Sequence, residues 1–252
     1  MRRDASMAGD RGRAVRNGRR DIHHLPLAGM NVPAVLQLPD ADERAPAVLL
    51  LHGYRSHKEQ MADTVGRALL DVGVASLAVD LPLHGERERD LDAGAQRNPL
   101  ALVAVWRAAQ SECRDALRWM ADHPAIDAER LGVAGYSMGA FLGVIVASKN
   151  PAVRALVLAA GGDLPEGTPF ERVIRTVADP ARAVRSLRGI PLLMVHGRRD
   201  RTVLPDQAQR FFEAAHEPKE LRWYDAGHWL PDAAVSDAAT WLAARLGRRD
   251  VP

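Results

Sequence analysis

Residues 47–51, Ala-Val-Leu-Leu-Leu, are apolar at every position and end abruptly at His52-Gly53. A run this short with no alternation fits a strand covered on both faces. The runs at 74–79, 131–135, 153–159 and 191–195 have the same character, and 220–224 closes the series. Between them lie segments whose apolar residues recur every three or four positions, at 59–72, 101–121, 138–149, 205–215 and 234–246. In 101–121 the stripe is Leu102, Trp106, Ala109, Cys113, Ala116, Leu117 and Met120. Two further strands, 21–29 and 32–38, read as an edge hairpin. Strands alternating with helices define the α/β class, a mostly parallel sheet with helices on both faces. Ligands of such sheets bind beyond the carboxyl ends of the strands. Chemistry is therefore sought in the residues that follow each strand.

The 252 residues carry 47% hydrophobic and 26% charged side chains, a globular balance. No internal repeat or low-complexity linker divides the chain, so 21–252 is expected to be a single domain. Residues 1–20 hold seven arginines against two aspartates and no apolar periodicity, as in a disordered basic arm. That arm carries more positive charge than the whole chain's net +2, so the remainder is net acidic. A nucleic-acid partner, which needs a basic folded face, is not expected. Cys113 is the single cysteine, which excludes an intrachain disulfide and fits a reducing compartment. No apolar run approaches the length of a membrane span, and the basic N-terminus lacks the apolar stretch of a secretory signal. A cytoplasmic protein is the expectation. Nothing in the sequence selects an oligomeric state. Two stretches, 85–100 and 163–188, leave from strand carboxyl ends and could overhang a site there.

Gly135-Tyr136-Ser137-Met138-Gly139 fits G-x-S-x-G, and it stands between a predicted strand and a predicted helix. A serine on so tight a turn needs glycine two positions either side, because side chains there would strike the neighbouring backbone. A serine hydroxyl is a weak nucleophile that needs a base, and the base needs an orienting acid. His228, beside Gly227 just past the last strand, is the expected base, and His216 falls at a helix end away from that edge. Asp200, which follows the strand at 191–195, is the leading acid, with Asp163 as its rival. Asp225 is near His228 in sequence but is expected to face along its own strand end. The developing oxyanion needs two amide donors. The candidates are the backbone N–H groups of Met138 and Tyr54. His52 is expected to shape the Tyr54 loop by hydrogen bonding, and Asp80 to brace loops beneath the site. The Asp, His and Glu residues of 80–86 match no strong metal-ligand spacing. Cys113, on an apolar helix face, reads as an inert core thiol.

Together the strand order, Gly135–Gly139, His52-Gly53, Asp200 and His228 resemble the α/β-hydrolase superfamily, from about residue 25 to the C-terminus. Asp80–Gly85 and the short insert before residue 191 resemble its dienelactone-hydrolase-like and small carboxylesterase branches. Ser137 stands where dienelactone hydrolases carry cysteine and where haloalkane dehalogenases carry aspartate. The glycine run of hormone-sensitive-lipase-like esterases is absent, since Tyr54-Arg55 follows Gly53. The resemblance implies a serine hydrolase that cleaves small, soluble carboxylic esters through Ser137, Asp200 and His228, with no cofactor and no metal. A thioesterase, a small peptidase and a non-catalytic ligand-binding protein share the same fold. Residues 163–188 resemble a cap too short for a lipid interface, which favours short to medium acyl groups.

Overall fold

The computed structural model of the chain describes residues 13–15, 17–90, 98–164 and 170–247. Most of the expected N-terminal arm, residues 91–97 of the first overhanging stretch and 165–169 of the second lie outside the described residues. Among the described residues nine strands form one sheet: β1 (Arg13–Val15), β2 (Gly18–Leu27), β3 (Met30–Pro39), β4 (Ala45–Leu51), β5 (Ala75–Val79), β6 (Ile126–Tyr136), β7 (Val153–Ala159), β8 (Leu192–Gly197) and β9 (Lys219–Tyr224). Their spatial order is β1-β2-β3-β5-β4-β6-β7-β8-β9. The first three strands and the β3–β5 pairing are antiparallel, and every pairing from β5 to β9 is parallel.

The expected arm reaches too far into the chain. β2 begins at Gly18, and β1 pairs with it through Val15↔Gly18. Two of the arginines that look like free charge have partners: Arg19 binds Asp21 at 2.8 Å, and Arg20 binds Asp63 on the π-helical turn at 62–66. Asn17 donates to Asp71 at 2.8 Å. Gly18 is required there, because a Cβ would sit 2.2 Å from the Leu38 carbonyl oxygen.

The helices are α1 (Lys58–Met61), α2 (Arg67–Asp71), α3 (Pro99–Asp122), α4 (Met138–Ala147), α5 (Glu171–Arg175), α6 (Pro180–Ser186), α7 (Pro205–Ala214) and α8 (Asp232–Leu246). The segment expected as one helix over 59–72 is α1 and α2 joined by a π-helical turn, Ala62–Gly66. A Cβ on Gly66 would lie 2.0 Å from Gln37 Oε1, so this turn rests directly on β3.

Alternation along the buried strands feeds two cores. Leu49 and Leu51 of β4, with Val133, Leu156 and Met194, meet Cys113, Leu117, Leu142 and Phe211 on one face. Val48 and Leu50, with Val157 and Leu193, meet Met61, Leu69, Trp241 and Leu242 on the other. Cys113 is buried, and burial pushes its thiol pKa up. From β4 the chain first builds β5 on one side and then β6 on the other. The strand order therefore reverses at β4, and ligands of such sheets bind beyond the carboxyl ends of the strands at that point. No helix among the described residues is long and apolar enough to cross a membrane.

Candidate active site

Ser137 is the single residue between β6 and α4, with φ 51° and ψ −113°. A non-glycine residue in this region is strained and persists only where its surroundings fix it. Here the flanking glycines do so. A Cβ on Gly135 would lie 2.2 Å from the Gly139 carbonyl oxygen, and one on Gly139 would lie 2.1 Å from that of Leu51. The Ser137 amide donates to Ala159 O at 2.9 Å, which pins the turn to β7. Met138 opens α4, so its amide is one of the helix's first N–H groups, which have no intrahelical acceptor.

The loops after β8 and β9 are laced together. Arg198 N donates to Tyr224 O at 2.8 Å, and Arg199 N donates to Ala226 O at 2.9 Å. Gly197 permits this, since a Cβ there would meet the Gly227 oxygen at 2.1 Å. The lacing carries His228 between two side chains. Its Nε2 lies 3.0 Å from Ser137 Oγ and its Nδ1 lies 2.8 Å from Asp200 Oδ2. The Asp200 side chain is fully buried, and its Oδ1 accepts from the amides of Thr202 (2.8 Å) and Val203 (3.1 Å). Burial alone would raise the Asp200 pKa, but the bonds from His228, Thr202 and Val203 outweigh it and hold the carboxyl below its usual range. An ionised Asp200 only accepts, so His228 Nδ1–H donates to it and Nε2 is left to accept from the serine hydroxyl.

Gly53 follows β4 beside the serine, and a Cβ on it would lie 3.5 Å from Ser137 Cβ. His52 fixes this loop from within. Leu81 N–H donates to its Nε2 at 3.0 Å, so its Nδ1–H donates to Gly53 O at 2.7 Å. Burial lowers the His52 pKa to about 4, which keeps the ring neutral. Beneath, Asp80 accepts from the Lys58 amide (2.8 Å), the Lys58 ammonium (3.1 Å) and the Glu86 amide (3.0 Å). Lys58 is buried and also binds Glu59 at 2.7 Å and Glu86 at 2.6 Å. Asp80 thus braces the loops after β4 and β5, as its position at the end of a strand indicated.

The rival residues lie elsewhere. Both carboxylate oxygens of Asp163 bind Arg175, at 2.9 and 3.0 Å, and Arg175 also holds Glu171 and Asp179. Asp225 is exposed and pairs with Arg199 at 3.2 Å. His216 contacts the Arg185 carbonyl at 2.9 Å, away from the serine.

Three features of this region were not anticipated. Lys58 is fully enclosed. Glu112 is buried on α3 with a bidentate bond from Arg87, at 2.7 and 2.9 Å. Its position between Ala109 and Cys113, on the apolar stripe, was the available signal. The Tyr136 hydroxyl donates to the His228 carbonyl.

The fold and the turn at Ser137 define an α/β hydrolase. The chain belongs to the dienelactone hydrolase family, whose sequence model matches residues 32–234. It is 27% identical over 142 residues to a polyketide transferase of Stachybotrys chlorohalonatus, covering 56% of this chain and 44% of that protein. It is 29% identical over 129 residues to a Bradyrhizobium protein named "Probable 2-oxo-3-(5-oxofuran-2-ylidene)propanoate lactonase", covering 49% of each. The chain spans about half the length of these curated relatives. Among solved structures it resembles a cold-adapted esterase from an Arctic intertidal metagenomic library, with a TM-score of 0.75, 20% identity, and 95% and 99% of the two chains covered.

Proposed function

We propose that the protein is a serine hydrolase of carboxylic esters, with Ser137 as nucleophile, His228 as base and Asp200 as orienting acid. The observation that carries this reading is the continuous hydrogen-bonded line from Ser137 Oγ through the His228 ring to buried Asp200. Ser137 Oγ forms a bond to the ester carbonyl carbon while its proton passes to His228 Nε2. The carbonyl oxygen gathers negative charge, held by the amides of Tyr54 and Met138. The carbon–oxygen bond to the alcohol breaks, and His228 gives that oxygen its proton. Water then attacks the acyl-enzyme, gives a proton to His228, and releases the acid as Ser137 recovers its hydrogen. Asp200 stabilises the imidazolium in both halves. None of these steps draws on a cofactor or metal.

In this reading the chain from β1 onward is one domain, and 163–188 is a short cover. Ile174, Ala178, Ala183 and Val184 are buried in the main core, which leaves this segment little apolar area to spread on a lipid surface. The substrates are accordingly small soluble esters, and the lactonase name of one relative extends the class to cyclic ones.

A fluorophosphonate probe tests the reading. It should label the wild-type protein and not Ser137→Ala, and labelling should track hydrolysis of a soluble butyrate ester. Equal labelling of Ser137→Ala, or interfacial activation on a triglyceride emulsion, contradicts it.

A further inference from the structure

We propose that Trp229 is the wall of a leaving-group subsite that selects flat, aromatic alcohols; the inference rests on the acyl-transfer reading above. Trp229 is 70% exposed, an unusual state for the side chain with the largest apolar surface. It is nevertheless held in place. Its ring stacks on Tyr136 at 6.0 Å and 22°, and stands edge-on to His228 at 6.4 Å and 69°. Tyr136 in turn is fixed by its hydrogen bond to the His228 carbonyl and by its own edge contact with the His228 ring, at 5.8 Å. One part of the indole is therefore supported by protein while most of its surface faces solvent.

Position assigns the group this surface would meet. His228 must hand its proton to the leaving oxygen, so the alcohol departs on the histidine's side of Ser137. Trp229 is the next residue in the chain. Tyr54, an exposed ring in the loop after β4, follows Gly53 on the oxyanion side. The nearby carboxylate of Asp225 is bound to Arg199. The indole thus offers an uncharged, flat, preorganised face, which a planar ring covers better than a puckered one.

The test uses two acetates of similar size and similar leaving-group acidity, benzyl acetate and cyclohexylmethyl acetate. Ser137→Ala is titrated with each by NMR, following the indole N–H signal that disappears in a Trp229→Phe spectrum. Benzyl acetate should bind more tightly by about three- to tenfold, the range that an aromatic pair adds beyond its buried area. Adding Trp229→Leu, which keeps apolar bulk without a flat face, should bring the ratio close to one, and Trp229→Phe should keep part of it. In the wild-type enzyme the same ratio should appear in kcat/KM. Equal binding of the two esters, or a ratio unchanged by Trp229→Leu, overturns the proposal. If the wild-type protein hydrolyses neither ester but Ser137→Ala shows the benzyl preference, the hydrolase reading fails and the platform stands. If both are hydrolysed without discrimination, the platform fails and the hydrolase reading stands.

Discussion

The phenolic hydroxyl of Tyr136 donates a hydrogen bond to the backbone carbonyl of His228. The residue just before the serine is thereby bonded to the histidine that faces it. Burial pushes the Tyr136 pKa up to about 12, so the phenol remains a donor through the neutral range. Tyr136→Phe keeps the ring contacts with His228 and Trp229 and deletes only this bond. Its net worth is about 1 kcal/mol, roughly a fivefold effect if the bond acts through the placement of His228. Turnover should fall by that order while KM stays within about twofold, a split that steady-state kinetics resolves. An unchanged kcat would show that the loop is held by other contacts.

Asp200→Asn should lower kcat by about 10⁴, because an amide in that place favours the wrong histidine tautomer. Asp163→Asn should be mild, since Asp163 is engaged with Arg175 on α5. Turnover of a nitrophenyl ester by the two variants decides between them. The reverse pattern would move the acid to Asp163 and leave the Ser137–His228 pair in place.

Stability should fall with acid. The His52 pKa is about 4 in the folded chain against its usual 6.5. Between these values the unfolded chain binds a proton that the folded one does not. The contribution is therefore intact above about pH 6.5 and declines as pH falls toward 4, by up to about 3 kcal/mol. His23, His123 and His196 are lowered by burial as well and act in the same direction. Asp200, whose folded pKa is depressed, adds a loss as pH falls through that value. The urea midpoint should drop between pH 7 and pH 4.5, and a flat profile would contradict the buried neutral histidines.

Lys58→Met should be strongly destabilising although the new side chain suits an apolar site. It leaves the Asp80 carboxylate buried without its cation. Removing one partner of a buried ion pair costs about 3–5 kcal/mol. Lys58→Met combined with Asp80→Asn should recover part of the loss, because no buried charge is left unpaired and the single asparagine oxygen can still accept from one of the two amides, that of residue 58 or that of Glu86. Urea unfolding of the two variants measures the difference, and a neutral single variant would mean that the charges are solvated.

Local periodicity was enough to place the buried parallel strands and the long helices, but not β1, which falls within the expected arm, nor the π-helical turn that divides 59–72. Strands at 153–159 and 191–195 stand within two residues of β7 and β8, because burial on both faces writes itself into consecutive side chains. The glycines of Gly135–Gly139 were equally legible, since the clash they avoid arises within and beside one turn. Contacts between distant segments were not. Arg20 looks like arm charge until Asp63 is folded against it. Lys58 stands just before the expected helix at 59–72, and only the folded chain closes Asp80 and Glu86 around it. Glu112 breaks an apolar stripe for a reason that lies 25 positions away, in Arg87.

The same division holds at the site. By itself the sequence determined the class of sheet, the edge where chemistry belongs, and the loops that carry Ser137, Asp200 and His228. Only the tertiary structure decided that these three stand in one hydrogen-bonded line, that Asp163 and Asp225 are each engaged by an arginine, and that Tyr136 bonds to the His228 loop. Periodicity and turn chemistry act over a few residues. Hydrogen bonds between loops depend on strand order and register, which bring Asp200 and Ser137, 28 and 91 positions from His228, to 2.8 and 3.0 Å from its ring nitrogens.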